Sequence, residues 1–257
     1  MPSVKVNGLA TYYEVHGEGK PLTLLHGGVW GLAGLEPLIA GLAAQRRVIA
    51  VELQGHGRTA EVDRPLSWEG MAADVAGLLD HLDIPRSDWM GYSLGGGVAL
   101  HAAILHPTKV DRLVLLSTPF ARRGWYPEVL EGMAQMESAV EGMKQSPLAQ
   151  LYPQVDWAVL FRKLRDLLAV DYDLSGEVAA LTLPAMLTFA DADSISPGHI
   201  AEFYNLLGGG LRDAGLDGSQ RSASRLAVLP GHTHYDVATS PVLPALVNDF
   251  LAATPRG

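Results

Sequence analysis

The sequence has no cysteine, no long apolar run and a deficit of basic side chains. The absence of cysteine excludes disulfides, thiolate metal sites and a cysteine nucleophile. The 257 residues include 19 Lys and Arg against 28 Asp and Glu, which gives a formal net charge of -9. Because the basic residues form no long run, neither a nucleic-acid nor an anionic-membrane partner is expected. No stretch approaches the roughly 18 uninterrupted apolar residues that a membrane span requires.

A globular protein is expected, since 48% of the residues are hydrophobic. The first residues, "MPSVKVNGLATYYEV", are typical of a strand and a turn and lack the charged and apolar regions of a signal peptide. We therefore expect a cytoplasmic protein.

Strand and helix signals alternate along the first 119 residues. Asn7-Gly8 joins two strand-like runs and predicts a hairpin. The runs "PLTLLHGG" and "RRVIAVELQGHG" stop at glycine, as buried parallel strands do. Ser67 opens a segment with helical apolar spacing and is a good N-cap residue. This alternation predicts a mostly parallel sheet with helices on both faces.

The pattern changes between residues 120 and 181, where apolar residues fall at helical intervals and no clear strand is visible. We expect residues 1–119 and 182–257 to form the α/β core and residues 120–181 to form a small helical cap. Residues 208–223, rich in glycine and charge, are expected to form a long exposed loop.

A serine surrounded by glycines carries the first functional signal. In "WMGYSLGGGVAL", Ser93 follows an apolar strand and directly opens a helix, with Gly91 and Gly95 on either side. A sharp strand-to-helix turn of this kind exposes a nucleophilic hydroxyl. The N–H of Leu94 then lies at a helix N-terminus, where it can stabilise an oxyanion. Such a serine also needs a base, an acid that orients the base and a second oxyanion donor.

Five motifs in order, "LLHGG", "VELQGHGRT", "GYSLGGGVAL", "ADADSISP" and "LPGHTHYD", resemble those of the α/β-hydrolase superfamily. The resemblance covers nearly the whole chain outside the helical insertion. It implies the α/β-hydrolase fold, with Asp193 as the acid and His234 as the base. Ala190 and Thr233 stand where the superfamily has glycine, so Asp191 stays open as the acid, and His232 is the other candidate base.

The resemblance also assigns the second oxyanion donor. It implies the N–H of Gly28 in "HGG", with Val29 as the alternative. His26 and His56 are expected to fix loops through backbone hydrogen bonds. An apolar acyl or aryl pocket is predicted from a set of aromatic and apolar residues near the site and in the cap, namely Val29, Trp30, Trp125, Tyr126, Met133 and Trp157.

These observations predict a serine hydrolase that cleaves a carboxylic ester of a small to medium, mainly apolar substrate through an acyl-enzyme. No metal or organic cofactor is required, and a monomer or homodimer is expected. A lactonase of the enol-lactone type, a carbon-carbon bond hydrolase and a perhydrolase share the same motifs. Two other classes stay open: a non-catalytic small-molecule binder, and a zinc hydrolase that uses the run His232, His234 and Asp236.

Overall fold

An eight-stranded sheet forms the centre of the protein in the computed structural model, which describes residues 3–253. The strands are β1 Ser3–Val6, β2 Leu9–His16, β3 Pro21–Leu25, β4 Arg47–Val51, β5 Ser87–Tyr92, β6 Val110–Leu116, β7 Ala185–Ala192 and β8 Arg225–Thr233. Their order across the sheet is β1-β2-β4-β3-β5-β6-β7-β8. β2 is antiparallel to both β1 and β4. The other neighbours across the sheet pair in parallel, namely β4-β3, β3-β5, β5-β6, β6-β7 and β7-β8. The predicted, mostly parallel sheet is therefore confirmed.

The predicted hairpin is present between β1 and β2. Asn7 has a φ of 49° and Gly8 a φ of 83°, and Val6 pairs directly with Leu9. Two consecutive positive φ values characterise the two-residue turn that Asn-Gly favours, because its twist matches that of the strands.

Helices cover both faces of the sheet. The core helices are α1 Glu36–Ala43, α2 Trp68–His81, α3 Leu94–Leu105, α9 Pro197–Leu206 and α10 Leu243–Ala252. Ser67 caps α2, since its Oγ accepts a hydrogen bond from the N–H of Gly70 at 3.0 Å. Buried residues of α2, α3 and α9 belong to the apolar cluster on one face, and those of α1 and α10 to the cluster on the other. None of the helices within residues 3–253 has the length and hydropathy to cross a membrane.

The insertion is helical, as its sequence predicts. It contains α4 Pro127–Ala134, α5 Val140–Lys144, α6 Pro147–Leu151, α7 Trp157–Ala169 and α8 Ser175–Ala179. The carboxylate of Asp156 caps α7, and buried residues spaced three or four apart along α7 pack into the same cluster as α2 and α3. The insertion thus enlarges the apolar cluster on the face of the sheet that α2 and α3 cover. The division of the chain into a core domain and a cap domain stays a prediction.

Polar contacts also tie the insertion to the sheet. The hydroxyl of Tyr152 donates to the fully buried carboxylate of Glu52 at 3.1 Å, and Lys163 Nζ lies 2.6 Å from the carboxylate of Glu61. These bonds anchor α6 and α7 beside the loop that follows β4.

Candidate active site

The residues that the sequence singles out follow the carboxyl ends of parallel strands. Gly28 follows β3, Ser93 follows β5, Asp193 follows β7 and His234 follows β8. Parallel strands end at one edge of a sheet, so side chains from distant parts of the chain meet there.

Ser93 occupies a strained turn. Its φ is 50° and its ψ is -110°, a backbone conformation that few non-glycine residues adopt. The turn is so tight that a Cβ built on Gly91 would lie 2.1 Å from the carbonyl oxygen of Gly95. Glycine at position 91 is therefore a steric requirement of the turn that presents Ser93 at the start of α3.

Ser93, His234 and Asp193 form one hydrogen-bonded series. Ser93 Oγ lies 3.0 Å from His234 Nε2, and His234 Nδ1 lies 2.9 Å from Asp193 Oδ1. An ionised carboxylate only accepts hydrogen bonds, so Nδ1 of His234 carries a proton and Nε2 is free to accept the proton of Ser93. The series therefore has the polarity that a serine nucleophile needs.

The carboxylate of Asp193 is held in its charged form. Burial raises its pKa, but hydrogen bonds from His234, the Ser117 hydroxyl and the Ala190 N–H more than offset this, and the pKa lies below its ordinary value. Ser117 Oγ and the nitrogen of Ala190 lie 2.5 Å and 3.0 Å from Asp193 Oδ2. Both carboxylate oxygens thus have partners.

Asp191 lies apart from this series. It is exposed, and its Oδ1 accepts from the N–H groups of Gly231 at 2.9 Å and His232 at 3.3 Å. The bond from Gly231 is the main reason that its pKa is lowered. Asp191 therefore stabilises the bend before His234, and the structure places Asp193 beside the imidazole.

The H-x-H-x-D run does not gather around a common point. Both ring nitrogens of His234 are used by Ser93 and Asp193. Asp236 Oδ1 accepts from the N–H of Thr233 at 2.6 Å and lies 3.9 Å from His232 Nδ1. Among residues 3–253, no three potential ligands cluster as a metal site requires.

The two candidate oxyanion donors are neighbours. Leu94 is the first residue of α3, where amide hydrogens have no intrahelical acceptor. A Cβ built on Gly28 would lie 3.6 Å from Leu94 Cβ. Within the described part of the chain, neither N–H has a backbone acceptor. Val29, the alternative donor, has a φ of 70° and also borders the site.

The two buried histidines nearby have the structural roles that the sequence predicts. His26 Nδ1 donates to the carbonyl of Gly27 at 2.7 Å, and its Nε2 accepts from the N–H of Leu53 at 3.0 Å. His56 Nδ1 donates to the carbonyl of Gln54 at 2.9 Å. Burial, followed by the proximity of His26, lowers the pKa of His56 to about 3. Both rings are therefore neutral and hold the loops after β3 and β4.

A cavity of about 620 Å³ opens beside Ser93. Four of the predicted pocket residues line it: Val29, Trp30, Trp125 and Met133. The ring of Trp125 stands edge-on to the ring of His234, with centroids 5.2 Å apart. Trp30 is 44% exposed and lies at the rim.

Two of the predicted aromatic residues, Trp157 and Tyr126, lie outside the lining of this cavity. Trp157 lies in the first turn of α7 and is buried in the packing of the insertion, whereas Phe161 and Leu164, further along the same helix, line the cavity. Tyr126 lines a separate cavity of about 360 Å³ beside Asp191. Helical spacing shows which face is buried but not which turn meets a cavity.

Sequence reasoning missed several residues that the fold brings to the site. Ser117 directly follows the buried run of β6, and a polar residue at the end of such a strand was an available signal. The Tyr92 hydroxyl donates to the carbonyl of His234 at 2.5 Å. Further lining residues carried no signal that separated them from core residues: Trp68, His101, Leu164, Leu168 and Tyr172.

Comparisons with known proteins show which family this chain belongs to. A sequence model described as the alpha/beta hydrolase fold matches residues 20–154. The pimeloyl-[acyl-carrier protein] methyl ester esterase of Vibrio cholerae is 31% identical over 227 residues, which cover 77% of this chain and 86% of that protein. The 2-hydroxymuconate semialdehyde hydrolase of Pseudomonas sp. (strain CF600) is 31% identical over 231 residues, or 88% of this chain and 72% of that protein. Another relative, 33% identical, is matched over only 49% of its length.

A solved structure agrees in fold. The enol-lactonase of Burkholderia xenovorans LB400 superposes with a TM-score of 0.75 at 23% identity, covering 98% of this chain and all of the other. The chain belongs to the alpha/beta hydrolase fold family. The prediction that it is a hydrolase is confirmed at the level of that family.

Proposed function

We propose that this protein hydrolyses a carboxylic ester by acyl transfer from Ser93 to water. One observation carries the proposal: Ser93, in a strained turn at the start of α3, is 3.0 Å from a histidine whose other nitrogen is paired with buried Asp193. That polarity is needed only where the serine hydroxyl must lose its proton. A protein that merely binds small molecules has no use for it.

The first half of the reaction forms an acyl-enzyme. His234 Nε2 takes the proton of Ser93 as the serine oxygen attacks the ester carbonyl carbon. The N–H groups of Leu94 and Gly28 bind the negative oxygen of the tetrahedral intermediate. As the intermediate collapses, His234 gives its proton to the departing alkoxide, and the alcohol leaves.

Water then completes the cycle. His234 removes a proton from a water molecule that attacks the acyl carbon, and Ser93 recovers its proton as the acid is released. Asp193 keeps the imidazole in one tautomer and stabilises its positive form in both halves.

The lining of the cavity supports a neutral, mainly apolar substrate. Methionine, leucine and tryptophan side chains make up much of it, and among the lining residues only Glu128 is an acid and none is Lys or Arg. An anionic substrate group would find no cation there. The named substrate of the Vibrio relative is also an ester, so ester hydrolysis is the first candidate.

Cleavage of a carbon-carbon bond is the second candidate. The relative from Pseudomonas sp. (strain CF600), matched over 88% of this chain, is named as a semialdehyde hydrolase. The same serine, histidine and oxyanion donors would serve both reactions. Lactone hydrolysis uses the identical steps, with the leaving alcohol still attached to the acyl group.

The test combines active-site labelling with turnover. Wild-type protein should react with a fluorophosphonate probe and hydrolyse p-nitrophenyl esters, with or without a chelator. Ser93→Ala should abolish labelling and lower kcat by about 10³- to 10⁶-fold. Ser138→Ala, the same change at an exposed serine of the insertion, is the control and should change neither. Retention of ester turnover in Ser93→Ala would contradict the proposal.

The same preparation separates the alternatives. Faster turnover of a lactone or a vinylogous diketone than of every simple ester tried would move the assignment to that reaction. A cytoplasmic location and a monomeric or dimeric state remain predictions, which cell fractionation and sedimentation would test.

A further inference from the structure

One polar side chain in the wall of the cavity has no part in the reaction proposed above. His101 lies on α3, eight residues after Ser93, and is 8% exposed. It borders the same cavity as Ser93. Most of the neighbouring lining is apolar, so a histidine here requires a separate explanation.

The hydrogen bond of His101 fixes its tautomer. Its Nδ1 lies 2.8 Å from the carbonyl oxygen of Gly97, and a carbonyl only accepts, so Nδ1 carries a proton. Burial lowers the pKa of the ring by more than the hydrogen bond to Gly97 and the charges of Glu69 and Glu177 raise it. The ring is therefore neutral, and Nε2 presents a lone pair. No side chain or backbone group within residues 3–253 donates to that nitrogen.

The ring is also held rigidly. It stacks on Trp68 with centroids 5.7 Å apart and planes 12° from parallel. Trp68 comes this close because position 97 is glycine: a Cβ there would lie 2.5 Å from the indole. The hydrogen bond to Gly97 and the stacking on Trp68 hold Nε2 in one orientation. An acceptor held in this way can select ligands by the position of their hydrogen-bond donor.

The position of His101 indicates which part of a substrate it meets. Eight residues of helix correspond to a rise of about 12 Å, which places His101 about two turns along α3 from Ser93. The leaving alcohol must lie against His234, which protonates it. His234 contacts the ring of Trp125, whereas His101 contacts the ring of Trp68, and both tryptophans line the cavity. The end of the cavity at His101 therefore fits the acyl part.

We propose that His101 is a specificity residue that accepts a hydrogen bond from a hydroxyl or amide donor on the acyl part of the substrate. This rests on the proposed ester hydrolysis at Ser93. The substrate class is then the ester of a medium-length, uncharged acyl group that carries a donor some distance from the scissile carbonyl.

Two alternatives to such an acyl group fit the cavity less well. A purely apolar acyl chain would strip water from Nε2 and give it no partner, which is unfavourable for a buried acceptor. A terminal carboxylate would face the lone pair of Nε2 with no Lys or Arg in the lining to balance it.

Matched substrates and variants test this. The substrates are p-nitrophenyl esters of straight-chain acids at several lengths, each with a terminal methyl, hydroxyl or carboxylate group. The measured quantity is the ratio of kcat/KM for the hydroxyl-tailed ester to that for the methyl-tailed ester. His101→Phe keeps a ring on Trp68 but removes the acceptor, and should lower this ratio by about 3- to 10-fold at the best length.

Two further variants control for structural effects. His101→Gln retains an acceptor and should keep the ratio within about twofold of wild type. His106→Phe makes the same change just after α3, outside the cavity lining, and should leave the ratio and the basal rate unchanged. Competitive inhibition of wild type by a diol and by the matching alkanol gives a comparison without any variant, and the diol should bind more tightly.

The outcomes are distinct. A ratio that stays the same in His101→Phe, a wild-type preference for the carboxylate tail, or equal inhibition by diol and alkanol would overturn the role of His101 while ester hydrolysis stands. Absence of both labelling and turnover in wild type would overturn the proposed function itself, and this inference with it.

Discussion

Replacing Asp193 by asparagine keeps the size of the side chain and changes one charge and the hydrogen-bonding pattern. In the native site, Oδ1 faces Nδ1 of His234, while Oδ2 accepts from Ser117 and from the N–H of Ala190. An amide has one oxygen and one NH₂ group, so only one of these two positions can still accept.

The surroundings decide how the amide is oriented. The backbone N–H of Ala190 cannot become an acceptor, so the amide oxygen must take the position of Oδ2. The NH₂ group then faces Nδ1 of His234, which has to accept. The proton of the ring moves to Nε2, the atom that should accept the proton of Ser93. The variant thus holds the base in the wrong tautomer, and we expect kcat to fall by about 10⁴-fold, the loss that this tautomer change causes in a serine protease triad.

The assay compares Asp193→Asn with Asp191→Asn. Both variants lose one negative charge, and they lie two residues apart. At Asp191 the amide oxygen can still accept from Gly231 and His232, so turnover of a p-nitrophenyl ester should stay within about tenfold of wild type. Comparable thermal midpoints would exclude unfolding as the cause. Full activity in Asp193→Asn with a large loss in Asp191→Asn would refute the assignment of the acid.

Two predictions concern stability. Gly91→Ala should destabilise the protein by about 3 kcal/mol or more in urea unfolding, because its Cβ would lie 2.1 Å from a backbone oxygen; Gly142→Ala, where a Cβ meets open space, should be neutral or stabilise by up to about 1 kcal/mol. Burial, then Arg123, lowers the pKa of His199 to about 4, below the value of about 6.5 in an unfolded chain. The unfolded state therefore gains the proton first as pH falls from 6.5 to 4, and stability declines in that window. His199→Gln should reduce the loss between pH 7 and pH 4.5 by about 1 to 3 kcal/mol, and His106→Gln should not; equal slopes in all three proteins would contradict this.

Much of the fold could be predicted from local signals. The Asn7-Gly8 turn, the Ser67 cap and the glycine-bounded strands depend on backbone conformations that neighbouring residues dictate, and the structure has each of them. The turn at Ser93 is also a local feature, because the clash that requires glycine at position 91 is with the backbone of Gly95, four residues away.

The pocket could not be predicted to the same depth. Trp157 and Phe161 lie one turn apart on the same buried face of α7, and their sequence signals are equivalent. Only the packing of α7 against the core decides that Phe161 lines the cavity and Trp157 does not.

The sequence by itself determined the strand and helix order, the strained serine and the acidic and histidine candidates, because each is a matter of composition and short-range spacing. The tertiary structure decided which of these meet. Asp191 and Asp193 differ by two positions, yet only Asp193 lies beside His234, and Ser117 and His101 acquire their partners from strands and helices remote in the chain. Contacts of this kind depend on how the sheet and its helices pack. That packing cannot be predicted from the spacing of residues along the chain.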